Sequence, residues 1–506
     1  MLQIRNLTIT LRRDLRVIIE DFNFVLKPGD RAVIVGEEGN GKSTLLKAVF
    51  DAGDVAGYAD ISGDVLFTGA KMGFLRQELG KELEKSVASY FGDILEQQQP
   101  WELAALARDL SLSEDFFYSE QIAGTLSGGE RVKMQLARLM LDAPDIYLLD
   151  EPSNDIDMDA LVWLERFINK SKVPVLFISH DETLVENTAN VIIHMELVRR
   201  KTTPRVTVAR LGYREYVENR RAALAKQTSL ARKEKEEHDA KMERFRRIRS
   251  RVDHDQAGIS RQDPGGGRLL KKKMHAVKSM GRRFEREAAD MTQLPDVEDA
   301  IFMDFPPCDL PNGKSVLDFR LDKLCRGSRL LAGDISLRIT GAQKVCIIGP
   351  NGAGKSSLLK LIADDLLGRR DLRTGYMPQN YEDLLDMETT PIRFLAPSGT
   401  KADVTRAMTC LGSVKYTTDE MGRAVGDLSG GQKGKLLLLK MILHGCDVLI
   451  LDEPTRNFSP LSNPVLRGVL KAFGGAVISV SHDRKYISEV CDTVYALTPA
   501  GLIASK

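Results

Sequence analysis

Two octapeptides in this chain have the composition and spacing to hold phosphates: Gly36-Glu37-Glu38-Gly39-Asn40-Gly41-Lys42-Ser43 and Gly349-Pro350-Asn351-Gly352-Ala353-Gly354-Lys355-Ser356. Each fits G-x-x-x-x-G-K-[ST] and follows a short apolar run, Arg31 to Val35 or Lys344 to Ile348. Between a strand and a helix such glycines let the backbone wrap phosphates and aim its N–H groups at them, while the helix N-terminus adds partial positive charge. Lys42 and Lys355 then bridge the terminal phosphates, Ser43 and Ser356 offer a hydroxyl to magnesium, and Thr44 and Ser357 continue the same turn. One such loop can be a chance glycine-rich turn. Two, each with strand and helix patterns at its sides, exclude that reading.

Further motifs repeat with the loops. Leu126-Ser127-Gly128-Gly129-Glu130 recurs as Leu428-Ser429-Gly430-Gly431-Gln432, Asp150-Glu151-Pro152 as Asp452-Glu453-Pro454, and Ser179-His180-Asp181 as Ser481-His482-Asp483. These pairs are 302 residues apart (428 less 126), whereas the loops are 313 apart (355 less 42), so the first copy carries 11 additional residues, expected within 51–70. An aspartate that ends a buried strand can hold magnesium through water, which suits Asp150 and Asp452, and the adjoining Glu151 or Glu453 can orient and deprotonate an attacking water. Ser-Gly-Gly at a helix start is a second anion cradle, of no use within its own copy but suited to a phosphate presented across an interface.

These residues resemble the ATP-binding cassette superfamily, over nearly all of the chain except 206–310. The resemblance implies an α/β fold of two tandem P-loop NTPase domains, each with a parallel sheet and a helical subdomain. It implies ATP and Mg2+ between the cassettes, Lys42 sharing one site with Ser429, Gly430 and Gly431, and Lys355 sharing the other with Ser127, Gly128 and Gly129. His180 and His482 would contact the γ-phosphate, and Gln77 and Gln379 would sense it beside the metal. Each copy keeps its glutamate, so both sites are expected to hydrolyse ATP. Two positions depart from the pattern. The aromatic that stacks on adenine has no counterpart near Asp14 to Arg16 or Cys325 to Arg329, and Thr455-Arg456-Asn457-Phe458-Ser459-Pro460 lacks the aspartate of its first-copy equivalent.

The elements that must position these groups fit a chain of 506 residues with 43% hydrophobic and 28% charged residues, long enough for two domains and a connector. No apolar run reaches the roughly 18 residues of a membrane span, and the first residues lack a signal peptide's apolar block, so a cytoplasmic protein is expected. Six cysteines without a C-x-x-C pair argue against zinc ribbons and a disulfide frame. The expected divisions are 1–205 for one cassette, 206–310 for a linker and 311–506 for the second cassette. Between Pro204 and Pro264 the only glycines are Gly212 and Gly258, which permits a helix of about 40 residues from Tyr213. Pro264-Gly265-Gly266-Gly267 then reads as a breaker. Met242, Phe245, Ile248 and Val252 on one side, and Leu270, Met274, Val277, Gly281, Phe284, Ala288 and Met291 on the other, predict an antiparallel hairpin over 213–291 with its tip at 256–268.

That connector carries the charge asymmetry of the chain. Residues 213–290 hold 22 Lys or Arg against 13 Asp or Glu, and 241–283 hold 14 against 4, although the whole protein is only +1. A solvated spacer would mix its signs; a basic tip predicts RNA, through phosphate and shape contacts from Arg244, Arg247, Arg251, Arg268, Lys271, Lys272, Lys273, Lys278, Arg282 and Arg283. Tandem cassettes with a basic helical linker resemble the ABC-F family of ribosome-associated ATPases. That likeness implies binding at the ribosomal exit site, a linker reaching toward P-site tRNA and the peptidyl-transferase centre, and either protection from antibiotics or regulation and rescue of translation. With 48 residues between Gln77 and Leu126 and again between Gln379 and Leu428, there is no room for an extra arm in the first cassette. This plan is similar to that of resistance-type members, working as a monomer that closes on itself. The competing class is the tandem-cassette ATPase of a sugar importer, which lacks a long basic hairpin.

Overall fold

Strand-forming runs in this chain are of two kinds, and the difference decides where they lie. The computed structural model describes residues 1–505 apart from 70, 78, 155, 259–263, 296–302, 309 and 328. Alternating segments make outer antiparallel layers: β1 (Leu2–Leu11) and β2 (Val17–Leu26) pair with each other. Uninterrupted Val, Ile and Leu runs instead fill the middle of a parallel sheet, as in β3 (Arg31–Val35). After β3 come β4 (Ala59–Phe67), β5 (Met72–Leu75), β6 (Ile146–Asp150), β7 (Val175–Ile178), β8 (Val191–Leu197) and β9 (Thr203–Ala209). The main sheet has the order β5-β6-β7-β3-β8-β9, parallel except for β9.

The second half repeats this plan. Its strands are β10 (Ser315–Arg326), β11 (Arg329–Thr340), β12 (Lys344–Ile348), β13 (Thr374–Met377), β14 (Val448–Asp452), β15 (Ala476–Val480), β16 (Thr493–Thr498) and β17 (Gly501–Ala504). The sheet order β13-β14-β15-β12-β16-β17 matches the first, strand for strand. The 11 additional residues of the first copy coincide with β4, a third strand added to the β1–β2 pair, whereas β10 and β11 form a two-stranded sheet. The first cassette's edge strand β9 runs to Ala209, past the division expected at 205, because its register with β8 continues to the Ile192–Ala209 pair.

Residues Arg214–Val297 form a separate unit. Its first arm is the helix Tyr213–Gly258, 46 residues and about 70 Å at 1.5 Å per residue; its second is Pro264–Ala289. The arms run antiparallel, since Gln227 bonds Gln293, Lys241 pairs with Glu287 and Phe245 meets Phe284 edge-on at 5.7 Å. Phe245, Val252 and Val277 form the core of the hairpin, and Gly281 gives Phe245 room, as a Cβ there would lie 3.2 Å from its ring. Ile248, expected in the stripe, is 43% exposed. The Pro-Gly-Gly-Gly run opens the second helix where a break alone was expected, because proline at the first helical position loses no hydrogen bond. The expected tip at 256–268 falls on residues 259–263, which lie outside the described ones, as do the side chains of its remaining residues, including Arg268.

Candidate functional site

Parallel strands in register end together, and that alone gathers four motifs. β5, β6, β7 and β3 are neighbours, so Gln77, Asp150 with Glu151, His180 and the phosphate loop leave the sheet at one edge. β13, β14, β15 and β12 do the same for Gln379, Asp452 with Glu453, His482 and the second loop. Both glutamates stand at φ 50°, the left-handed region that a side chain occupies at a cost of about 1–3 kcal/mol and that clusters at functional sites.

Each loop is wrapped tightly enough to require glycine. Gly41 and Gly354 have φ of 85° and 96°, and a Cβ on Gly354 would lie 2.8 Å from Leu331. Lys42 Nζ donates to the carbonyls of Gly36 (2.9 Å) and Glu37 (3.0 Å), and Lys355 Nζ to those of Gly349 (2.9 Å) and Pro350 (3.0 Å), so both ammonium groups lie over the phosphate cradle. Asn40 turns its side chain inward to the Met195 carbonyl at 3.1 Å, and Ala353 packs against the second core. Ser43 donates to Asp150 Oδ1 at 2.9 Å, and Ser356 bonds Asp452 in the same way. Asp150 Oδ2 and Asp452 Oδ1 are buried without a hydrogen-bond partner. Orphaned carboxylate oxygens beside a hydroxyl and a phosphate cradle fit a hard divalent cation. Burial pushes Asp150 up to about 6 against the pull of the Ser43 hydroxyl, a cost that positive charge would relieve.

The cassettes meet at the expected cross-pairs. A cavity of about 670 Å³ is lined by Lys355, Ser356, Ser357, Gln379, Asp452, Glu453 and His482 of one copy and by Ser127, Gly128 and Gly129 of the other; Asn351 and Gly352 also border it. The opposite cavity, about 280 Å³, contains Gly39, Lys42, Ser43, Thr44, Gln77, Glu151 and His180. Ser429 faces it, 3.9 Å from where a Cβ on Gly39 would stand. Ser127 and Ser429 both cap their helices, accepting from the N–H of Glu130 and Gln432 at 3.3 Å. Aliphatic side chains, Leu11 and Ile18 in one cavity and Leu331 in the other, stand on the walls near the loops.

The two sites differ in their acid–base groups. His180 Nδ1 donates to the Phe458 carbonyl of the second cassette at 2.7 Å, and its Nε2 lies 3.1 Å from Glu151. Burial alone would lower His180 and raise Glu151. Their mutual attraction outweighs it, so the histidine is raised and the glutamate lowered into an ion pair. At the other site His482 Nε2 stands 3.9 Å from Glu453, burial pushes Glu453 up to about 8 with help from Asp452, and burial with nearby Lys355 lowers His482 to about 4. Pairing thus favours the anion of Glu151, whereas burial beside Asp452 disfavours that of Glu453.

Residues that the sequence did not single out join the cassettes. Glu37 and Glu38, expected in the phosphate cradle, turn their side chains to the second cassette. Glu37 meets Lys435 (2.9 Å), Ser459 (2.7 Å) and Ser462, and Glu38 meets the N–H of Gly431. Two carboxylates in a loop meant for anions were a visible conflict, and a cationic partner was the signal to seek.

Comparison with known proteins agrees with this architecture. The ABC transporter family model matches residues 19–154 and 332–456. The chain is 25% identical to ABC transporter F family member 2 of Arabidopsis thaliana, covering 96% of this chain and 75% of that protein. It is 28% identical to a probable ATP-binding cassette sub-family F member 3 homolog of Encephalitozoon cuniculi, covering 94% and 77%. Among solved structures, an archaeal ribosome recycling factor, aABCE1, in complex with the ribosomal stalk protein aP1 has the same fold at TM-score 0.61 and 16% identity, covering 99% of this chain and 90% of that one.

Proposed function

The chain belongs to the ABC-F family of ATP-binding cassette ATPases, and from that premise we propose that it binds the ribosome in an ATP-dependent way. It docks at the exit site, and its basic hairpin reaches toward P-site tRNA and the peptidyl-transferase centre, protecting that centre from antibiotics or regulating and rescuing translation. The charge of the hairpin carries this reading. Lys271, Lys272, Lys273, Lys278, Arg244, Arg251 and Arg282 are exposed on its arms. Arg247 and Arg283 are exposed too, each held by a glutamate four residues away. Such an array attracts folded RNA through its phosphates, and an importer subunit has no use for it. The protein works in the cytoplasm; no helix among the described residues is long and apolar enough to cross a membrane. Because one chain supplies both halves of each site, it acts as a monomer.

In the ATPase cycle Lys42 and Lys355 hold the terminal phosphates against their own loops, and the first turns of the Ser127 and Ser429 helices meet those phosphates from across the seam. Glu151 and Glu453 orient water and take its proton, with His180 and His482 at the γ-phosphate. Ser43, Asp150 and Gln77 would hold Mg2+ at one site and Ser356, Asp452 and Gln379 at the other; when bound, the ion neutralises charge on the phosphates.

Co-sedimentation of the full chain with ribosomes tests this reading. The Glu151→Gln/Glu453→Gln double variant, unable to accept the proton, should keep ATP, lose turnover and accumulate on ribosomes. Adding Lys271→Glu, Lys272→Glu and Lys273→Glu should weaken that binding and flatten its salt dependence. Replacing Gln256 to Arg268 by a short Gly-Ser turn should leave binding largely intact and remove any effect at the peptidyl-transferase centre. Absence of the double variant from the ribosome pellet would overturn the proposal.

A further inference from the structure

The second phosphate loop has Pro350 and Asn351 where the first has Glu37 and Glu38. Carboxylates there repel a triphosphate, so their presence needs a reason. Glu37 is only 9% exposed, yet it is fully bonded: Lys435 Nζ lies at 2.9 Å, and the hydroxyls of Ser459 and Ser462 donate to its other oxygen. Burial would raise its pKa, but Lys435 and the two hydroxyls hold it down at about 2, so the anion persists at neutral pH. All three partners belong to the second cassette. Lys435 is on the helix Gly430–His444, and the serines are in the segment that follows Pro454.

Glu38, next along, accepts from the N–H of Gly431 in the first turn of that helix. That first turn is the anion cradle facing the loop of Lys42, whose wall includes Glu38 and Gly39. A γ-phosphate reaching across the seam would take the same donor. The seam of Lys355 carries no acidic residue at these loop positions, and its cavity is about 670 Å³ against about 280 Å³.

We propose that Glu38 is a built-in competitor of ATP at the first site, occupying the cradle of Gly431, and that Glu37 is the anchor that keeps it there. Nucleotide enters the second site freely, but engages the first site fully only by displacing Glu38. The two sites therefore fill in order, second before first. This inference rests on the ATPase chemistry alone and is independent of ribosome binding.

Equilibrium binding of the fluorescent analogue TNP-ATP with Mg2+ to the full-length protein, without ribosomes, tests it. Lys355→Ala leaves the first site to be read, and Lys42→Ala the second. The first site should bind roughly tenfold more weakly than the second, the scale of one displaced charge-assisted contact. Adding Glu38→Asn to the Lys355→Ala protein should recover that factor, and transplanting the carboxylate by Asn351→Glu into the Lys42→Ala protein should weaken the second site. Equal affinities in the two parent variants, or a Glu38→Asn change that leaves the first site unaltered or weaker, would overturn the proposal.

Discussion

At the seam that holds Lys42, cassette 2 reaches the phosphate loop through Lys435, Ser459, Ser462 and the Gly431 N–H, with Lys201–Glu420 (2.8 Å) and Arg13–Asp427 (2.9 Å) as further cross-cassette pairs. At the seam that holds Lys355 the equivalent positions are neutral Pro350 and Asn351, and Asn351 borders the larger cavity. The acid–base groups are divided the opposite way. At the seam of Lys42 the Glu151 carboxylate is paired with His180 and held low, while at the seam of Lys355 burial beside Asp452 pushes Glu453 up. One site has the base ready and the other has the room. Apart from the additional strand β4, the two copies have thus diverged at the seams by a few loop residues, with the order of the main sheets, motif placement and helix caps unchanged. A buried network between them, Arg467 with Glu182 (2.7 Å) and Lys485 with Glu182 (3.0 Å), joins the cassettes apart from either loop.

Disabling each glutamate alone should separate the two seams most strongly. If access governs turnover, Glu453→Gln lowers the steady-state kcat about 10²-fold or more, the scale of a lost general base, whereas Glu151→Gln costs only a few-fold. Phosphate release under saturating ATP measures both. Equal losses would mean that the seams cycle together, and a larger loss from Glu151→Gln would make the closed seam the working one.

Much of this architecture was legible because motifs at fixed offsets can only sit at equivalent strand ends. The repeated plan of the two halves and the 11 additional residues of the first follow from spacing, whereas the cross-pairing of Ser127 with Lys355 and of Ser429 with Lys42 came from the resemblance to the ATP-binding cassette superfamily. That the additional residues build β4 did not follow, since an offset between motifs counts residues without giving their conformation. The clasp was hidden for a different reason. Glu37 meets Lys435, Ser459 and Ser462 some 400 positions away, and no local periodicity reports a partner at that distance. In the hairpin, heptad-like spacing placed Phe245 and Val277 correctly but also enlisted Ile248, which helical geometry leaves at the solvent edge of the stripe.

A smaller difference between the seams depends on pH. The Glu37 pKa is depressed from 4.5 to about 2, so its ionic bonds stabilise the closed seam fully above pH 4.5 and lose strength as pH falls toward 2. Glu37→Gln should therefore cost about 3 kcal/mol at neutral pH, counting the Lys435 ammonium left without its carboxylate. By pH 3 the difference between parent and variant should shrink to roughly half. Urea unfolding of both proteins across this range reads it. A difference that stays constant from pH 7 to pH 3 would assign the loss to packing and remove the charge from the argument.

The smallest effect separates a buried clasp from charge in general. Arg13 and Asp427 span the same seam at 2.9 Å, but their side chains are 77% and 38% exposed, so water and salt compete for both. Arg13→Ala should leave the melting temperature within about 1 °C of the parent and leave TNP-ATP affinity at the first site unchanged. Lys201→Ala removes a less exposed pair, at 20% and 15%, and should fall between Arg13→Ala and Glu37→Gln. This ranking follows burial, because desolvated partners cannot replace each other with water. If Arg13→Ala instead opened the seam as far as Glu37→Gln does, closure would be driven by the summed field of the interface. Raising the salt from 0.05 to 0.5 M should then open the parent protein to the same extent, which a buried clasp would resist.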